Sequence, residues 1–288
     1  MSDFNFTVCL SVNDNYDYYK NVPLVYRAWK AFFPQCKVIL GFVNPKIPLK
    51  HRITYENIFD FLSANSDEIV VMDEVAGIPS ENQGKFLRYW IASNQPEGTK
   101  CLIHDVDSLP LQSRYWVEHI FPNYRKGKLL AVGHDVYKGT EHEGKFPASN
   151  MFADSDVFKK MVNPENAGYH SVVFGFTGIR MFDDKERLEQ IKHHFSDESL
   201  VRYMIVKNLG IENVNFIDRK IDIVSQWLDK TFWSLDKKRL ENGYYVECNL
   251  PRSFDYGIGN IQLDELNNFI DTKYREKFKS RKKWKTEF

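Results

Sequence analysis

The 288-residue chain balances 39 Lys and Arg against 39 Asp and Glu, so its formal net charge is zero and no global field draws it to nucleic acid or to an acidic membrane. Hydrophobic residues make up 43% of it, enough for a substantial core in one large domain with or without an appendage, and no apolar run is long enough to cross a bilayer. Cys9, Cys36, Cys101 and Cys248 are scattered without Cys-x-x-Cys spacing, which excludes a zinc site or disulfide framework of the usual kind and points to a reducing, cytoplasmic setting. No basic segment followed by an apolar core stands at the N-terminus, so no export signal is expected, and the sequon Asn5-Phe6-Thr7 enters a strand instead.

Phe6 to Val12 is rich in β-formers and ends in Asn13-Asp14-Asn15, a first strand feeding a polar turn. Val22, Val25, Tyr26, Trp29, Phe32 and Phe33 recur at helical spacing up to Pro34. Residues 38–43 read as a second buried strand, 53–62 as a helix and 69–72 as a third strand. A helix follows over 80–93, with Ser80 and Gln83 spaced as a capping box. It leads into Lys100-Cys101-Leu102-Ile103-His104-Asp105-Val106-Asp107-Ser108-Leu109-Pro110, a buried strand that stops where Pro110 cannot donate to a ladder.

Asp105 and Asp107 lie two apart, so in an extended segment both carboxylates point the same way. Two such anions repel unless a cation or water separates them, and oxygen-only ligands suit magnesium or manganese. A solvated acidic pair at a turn is the bland alternative. Context favours the metal: strand and helix alternate three times before this strand, which predicts a mainly parallel sheet covered on both faces. Ligands of such sheets bind at the carboxyl ends of strands, where both the Asn13-Asp14-Asn15 turn and the acidic pair fall.

Beyond Pro110 a short helix is expected over 115–121, a strand over 129–133 ending at His134-Asp135, a long strand over 172–182, a charged helix over 184–194 and an amphipathic helix opening at Asp197-Glu198. No linker or repeat divides this half from the first. A domain over 1–263 is expected, with 264–288 as a basic helical appendage. Its run from Lys273 to Lys285 interleaves charge with aromatics; a solvated helix end is the simpler reading, and weak peripheral contact with an anionic membrane the other.

With these residues placed, the chain resembles the GT-A-fold glycosyltransferases, most of all the glycogenin-like family eight, in order over about residues 6 to 205. The resemblance implies a mixed, mainly parallel α/β fold and a metal-dependent transfer of sugar from a nucleotide diphosphate sugar, UDP-linked in that family, to a glycan or other hydroxyl acceptor. It implies that Val12, Asn13 and Tyr16 contact base and ribose, and that Lys85 or Arg88 faces the sugar nucleotide. The strand carrying Asp105 and Asp107 is similar to the family's metal-binding strand, and Ala131 to Asp135 to the next one. Phe176-Thr177-Gly178-Ile179 resembles the segment near the donor sugar, with Phe176 in place of the usual amide. Asp197-Glu198-Ser199-Leu200 resembles the segment whose Asp lies close to the reacting sugar, with Glu198 in place of an amide. The family's late histidine ligand has no counterpart, since no histidine follows His194. Asp255, His134, His170 or a water are the alternatives for a third ligand.

Asp197, Glu198 or Asp135 would act as base if the transfer inverts. For each residue a structural role competes: Lys85 and Arg88 as solvated charges, Asp197 as a helix cap, Tyr16 as packing, His104 as a neighbour of the acidic pair. Trp227, Trp233, Tyr244 and Tyr245 either line an acceptor groove or fill the core. Two other functions fit parts of the pattern. A haloacid-dehalogenase-like phosphatase also carries Asp-x-Asp after a strand, although there the motif opens the core. A non-catalytic nucleotide-sugar-binding protein would explain the missing late histidine.

Overall fold

The computed structural model describes residues 5–44, 52–65, 68–139, 146–175, 197–219, 226–228, 230, 233–251 and 258–278. The first half runs β1 (Thr7–Val12), α1 (Tyr16–Tyr19), α2 (Val22–Phe32), β2 (Lys37–Val43), α3 (Arg52–Asn65), β3 (Glu68–Met72), α4 (Ser80–Ser93) and β4 (Lys100–Ile103). The second half adds β5 (Ser108–Pro110), a π-helical turn at Trp116–Ile120, β6 (Leu129–Val132), β7 (Met151–Asp154), α5 (Ser155–Val162), α6 (Tyr169–Val173) and α7 (Asp197–Met204). It closes with β8 (Val214–Ile217), β9 (Gln226–Leu228), α8 (Lys237–Glu241), β10 (Tyr245–Asn249) and α9 (Ile258–Lys277).

Seven strands form one sheet in the order β3-β2-β1-β4-β7-β6-β8. β1 pairs in parallel with β2 and β4, β2 with β3, and β6 with β8, whereas β7 runs antiparallel to both β4 and β6. The mainly parallel sheet expected from the strand-helix rhythm is therefore present, mixed as the resemblance implies. Alternation along its strands feeds two cores. Val8, Leu10 and Val12 of β1, with Leu40 and Leu102, enter the layer beneath α2; Cys9, Ile39, Cys101 and Ile103 enter the layer beneath α4 and α5. The chain steps outward from β1 to β3 and then returns to the other side of β1 with β4. That reversal makes the carboxyl ends of β1 and β4 the crevice of the fold.

Several local expectations change. The acidic strand breaks: β4 ends at Ile103, and β5 restarts at Ser108 in a separate sheet ordered β5-β10-β9. Gln83 does not box with Ser80; its amide bonds the main chain of Val75 and Ile78, because that loop needs donors and acceptors in a buried position. The start of the strand expected over 172–182 is helical, since Val172 and Val173 satisfy burial on one face of α6, and its remainder lies outside the described residues, as does the helix expected over 184–194. All four cysteines are buried and free. Among the described residues no helix is long and apolar enough to cross a membrane.

α9 packs along α2. Leu266, Ile270 and Tyr274, one turn apart, enter the first core, and buried Arg27 bonds Asp271 at 3.1 Å and Asn267 at 2.8 Å. The boundary expected between residues 263 and 264 falls inside this helix, and the basic run beyond residue 278 lies outside the described residues.

α4 can lie close to the sheet because β2 offers Gly41, where an added Cβ would stand 2.7 Å from both Ile91 Cδ1 and Leu87 Cδ2. Gly41→Val is expected to cost about 1–3 kcal/mol through overpacking, read as a lower urea midpoint at unchanged slope.

Candidate active site

A cavity of about 470 Å³ opens at the carboxyl ends of β1 and β4. One side is built by Ser11, Val12 and Asn13 at the end of β1 and by Gly84, Lys85 and Arg88 of α4. Gly84 permits this approach, since a Cβ there would stand 3.2 Å from the Asn13 backbone nitrogen. Ser11 Oγ enters the hydrogen-bond ladder of α4, donating to Gly84 O at 2.5 Å and accepting from Arg88 N at 3.2 Å. The strand thereby fixes the height at which Arg88 leaves the helix.

Arg88 is 4% exposed. Its Nη1 donates to Asp105 Oδ1, and its Nη2 donates to Ala148 O at 3.1 Å. Asp105 remains about a third exposed, its side chain at 34%. Burial would push its carboxyl up, yet the Arg88 charge and hydrogen bond, helped by His104 and Ser149, hold it below its ordinary value. Asp107 is less exposed; its Oδ2 lies 3.6 Å from Lys230 Nζ, and its carbonyl accepts from Leu250 N at 2.6 Å. His104 is buried between the two sheets, its Nδ1 3.0 Å from Asp105 O and its ring edge-on to Trp29 at 4.9 Å. That is the structural neighbour of the acidic pair expected of it.

The other expected residues divide. Val12, Asn13, Lys85, Arg88, Asp105, Asp107 and Glu198 line the cavity together. Lys85 sits at the rim, 2.9 Å from Glu81, and is far more accessible than Arg88. Tyr16 is not among the lining residues: it packs edge-on against Tyr19 at 5.3 Å with Lys20 over its ring, and Tyr18 takes the cavity side. Asp135 is not among them either; its Oδ1 accepts from Arg219 N at 2.7 Å, tying the end of β6 to the chain leaving β8. Asp197 is the first residue of α7, and its side chain lies outside the described part, as do Gly178 and Asp255. His134 packs on Phe216, and neither it nor His170 lines the cavity.

Sequence reasoning missed several polar groups of the wall, Glu247 and Asn150 first among them. Glu247 on β10, 1% exposed, accepts from Ser108 Oγ at 2.6 Å and from Asn150 Nδ2 at 3.3 Å. Asn150 precedes β7 in the segment Pro147 to Asn150, which lines the cavity where the 176–182 stretch was expected to. A Glu and an Asn two apart in the apolar run Tyr245 to Leu250 were the available signal for β10, but their partners depend on strand pairing. The far wall carries Arg219, which lies over the Trp227 ring at 3.1 Å, and Lys230. Trp227 thus reaches the cavity, while Tyr245 is core.

Among the described residues no three His, Cys, Asp or Glu side chains converge as a metal cage. Asp105 and Asp107 nonetheless offer oxygen donors of the kind magnesium and manganese take singly or in pairs, with substrate phosphates completing the shell. The cavity charge fits such an ion. Glu81, Asp105, Asp107, Glu198 and Glu247 outnumber Lys85, Arg88, Arg219 and Lys230 by one, so a diphosphate entering alone would add negative charge to an already negative wall.

No protein-family model matches the chain, and no curated protein matches it in sequence. Its three-dimensional structure is similar to that of the glycosyltransferase GlyE of Streptococcus pneumoniae TIGR4 in its apo form, at 12% identity and a TM-score of 0.53. The match covers 96% of this chain and 64% of GlyE, so the chain spans a little under two thirds of that protein. It is also similar to the galactosyltransferase LgtC in complex with donor and acceptor sugar analogs, at 13% identity and a TM-score of 0.51, covering 94% of this chain and 100% of that one. At these identities the likeness is one of fold: the chain has the GT-A architecture of these glycosyltransferases.

Proposed function

We propose that the chain is a glycosyltransferase moving a sugar from a nucleotide diphosphate sugar, UDP-linked, to a hydroxyl of a glycan or other acceptor, with a divalent cation as cofactor. The observation that carries this reading is the gathering, in one cavity at the switch point of a GT-A sheet, of the acidic pair, the cations of α4 and the polar end of β1.

Val12 and Asn13 would hold the base and ribose at the end of β1. Asp105 and Asp107 would hold the cation against the diphosphate, where it neutralises charge on the leaving group. Between the two basic candidates the roles separate by burial. Arg88, committed to Asp105 and Ala148, orients the acidic turn; Lys85, at the rim, is the side chain able to exchange Glu81 for a phosphate oxygen. Asp197 and Glu198, at the start of α7, would face the donor sugar or the acceptor, and for an inverting transfer would take the proton of the attacking hydroxyl. The phosphatase alternative expects its acidic pair at the end of the first strand, which here ends in Asn13-Asp14-Asn15.

Thermal denaturation with UDP, GDP or CDP, each with and without manganese, is expected to show a midpoint raised by UDP only when manganese is present. Asp107→Asn should abolish that manganese-dependent shift and lower kcat/KM for transfer by about 100-fold or more; undiminished transfer would refute the assignment. Arg88→Lys cannot reach Asp105 and Ala148 O with a planar fork, so kcat should fall about tenfold or more while UDP binding changes little, as separated by steady-state kinetics and calorimetry.

A further inference from the structure

Charge is spread unevenly around the cavity. Asp105, Asp107 and Glu247 gather where the chain leaves β4 for the second sheet, whereas Arg219 and Lys230 stand on the wall built by the chain leaving β8 and β9. In the transferase reading the acidic turn and the α4 side serve the donor. That reading gives no work to the two cations opposite.

Arg219 is anchored through its main chain: its N donates to Asp135 Oδ1 at 2.7 Å, and its O accepts from Tyr115 Oη at 3.2 Å. Its guanidinium lies over Trp227, 3.1 Å from the ring centroid, and Trp227 packs edge-on with buried Tyr115 at 6.1 Å. The charge therefore rests on a packed aromatic pair, and this wall presents a cation backed by an indole. Stacking uses the face of a guanidinium, and anions are met by its edge, so a stacked arginine keeps the fork that matches a carboxylate or a phosphate.

Lys230 is held more loosely. Its Nζ lies 3.6 Å from Asp107 Oδ2 and its side chain is 37% exposed, so the pair contributes little and exchanges readily for another anion. A fixed guanidinium and a movable ammonium on one wall suit a single anionic group carried by the ligand that enters there. We propose that Arg219 and Lys230 receive a carboxylate or phosphate of the acceptor, so that the acceptor is an acidic sugar and not a neutral one. The proposal rests on the transferase reading and gives its acceptor a chemical class.

Release of UDP from UDP-glucose, UDP-galactose or UDP-N-acetylglucosamine, with manganese present, would be followed with methyl glucoside, methyl glucuronide and methyl glucoside 6-phosphate as acceptors, which differ only at the last carbon of the sugar, and with the matching galacto series. The unchanged chain is expected to show a KM about tenfold or more lower for an acidic acceptor than for its neutral counterpart, and the better of the two acidic forms identifies the anion. Arg219→Gln, which leaves both main-chain anchors in place, should raise that KM about five- to tenfold, Lys230→Gln should raise it by a smaller factor, and Arg219→Lys should recover part of the loss. Folding of each variant is verified by circular dichroism, and UDP affinity in Arg219→Gln, measured by calorimetry, is expected to stay within about twofold. Equal use of neutral and acidic acceptors, use of none, or a UDP affinity lost with Arg219 overturns the inference and leaves the transferase reading standing. Failure of the folded, unchanged chain to bind UDP overturns the transferase reading and the inference with it.

Discussion

The cavity depends on one buried guanidinium. Arg88 leaves α4 at a height set by Ser11 of β1, reaches Asp105 just beyond β4, and bonds Ala148 in the segment entering β7. Three neighbouring strands of the central sheet are tied through one residue, β1 through its backbone nitrogen and the other two through its guanidinium. A charge so buried is costly unless paired, and Asp105 supplies the pairing. The carboxylate is in turn held ionised by the arginine, so the group that a cation would use is the group that makes Arg88 tolerable inside the fold. Stability and chemistry share this contact.

The second sheet has a matching part. Asp107 is placed through its own carbonyl, which accepts from Leu250 N, and through the pairing of Leu109 with Cys248. The two acidic residues are therefore positioned by different halves of the chain. Ion pairs such as Asp107 with Lys230 and Lys85 with Glu81 are partly exposed and cheap to exchange, in contrast with the Arg88 pair. A phosphate arriving at the cavity would find movable cations at the rim and an immovable one beneath.

The sequence revealed most where period and burial coincide. β1, β2 and β4 are buried runs whose alternating residues feed two cores, and their order with the intervening helices determines where ligands bind, so Asn13, Arg88, Asp105 and Asp107 were legible as one rim. Glu247 and Asn150 were not, because their meeting depends on the β10–β5 pairing and on a left-handed turn before β7, neither of which has a local pattern. Asp135 lies off the cavity lining because a polar residue closing a strand can serve the backbone as well as a ligand; here it accepts from Arg219 N. Tyr18 and not Tyr16 lines the cavity, because three tyrosines crowd one short turn and the packing of α1 decides which of them faces it. Val172 and Val173 suggested a strand by residue type, and burial against the second core made them helical.

The break between Ile103 and Ser108 is what gives the acidic pair its separate supports. Had the strand continued, period two would have aimed both carboxylates identically, with nothing but the strand to place them. Instead the chain turns at His104, whose buried ring fills the junction beside Trp29 and Trp116, and leaves in the second sheet. Asp105 faces Arg88 on the helix side, and Asp107 faces Lys230 on the other. Each carboxylate has its own cationic neighbour, Arg88 for Asp105 and Lys230 for Asp107, which relieves their mutual repulsion. Loosening β10 would disturb Asp107 and leave the Arg88 contact of Asp105 in place, whereas loosening α4 would do the reverse.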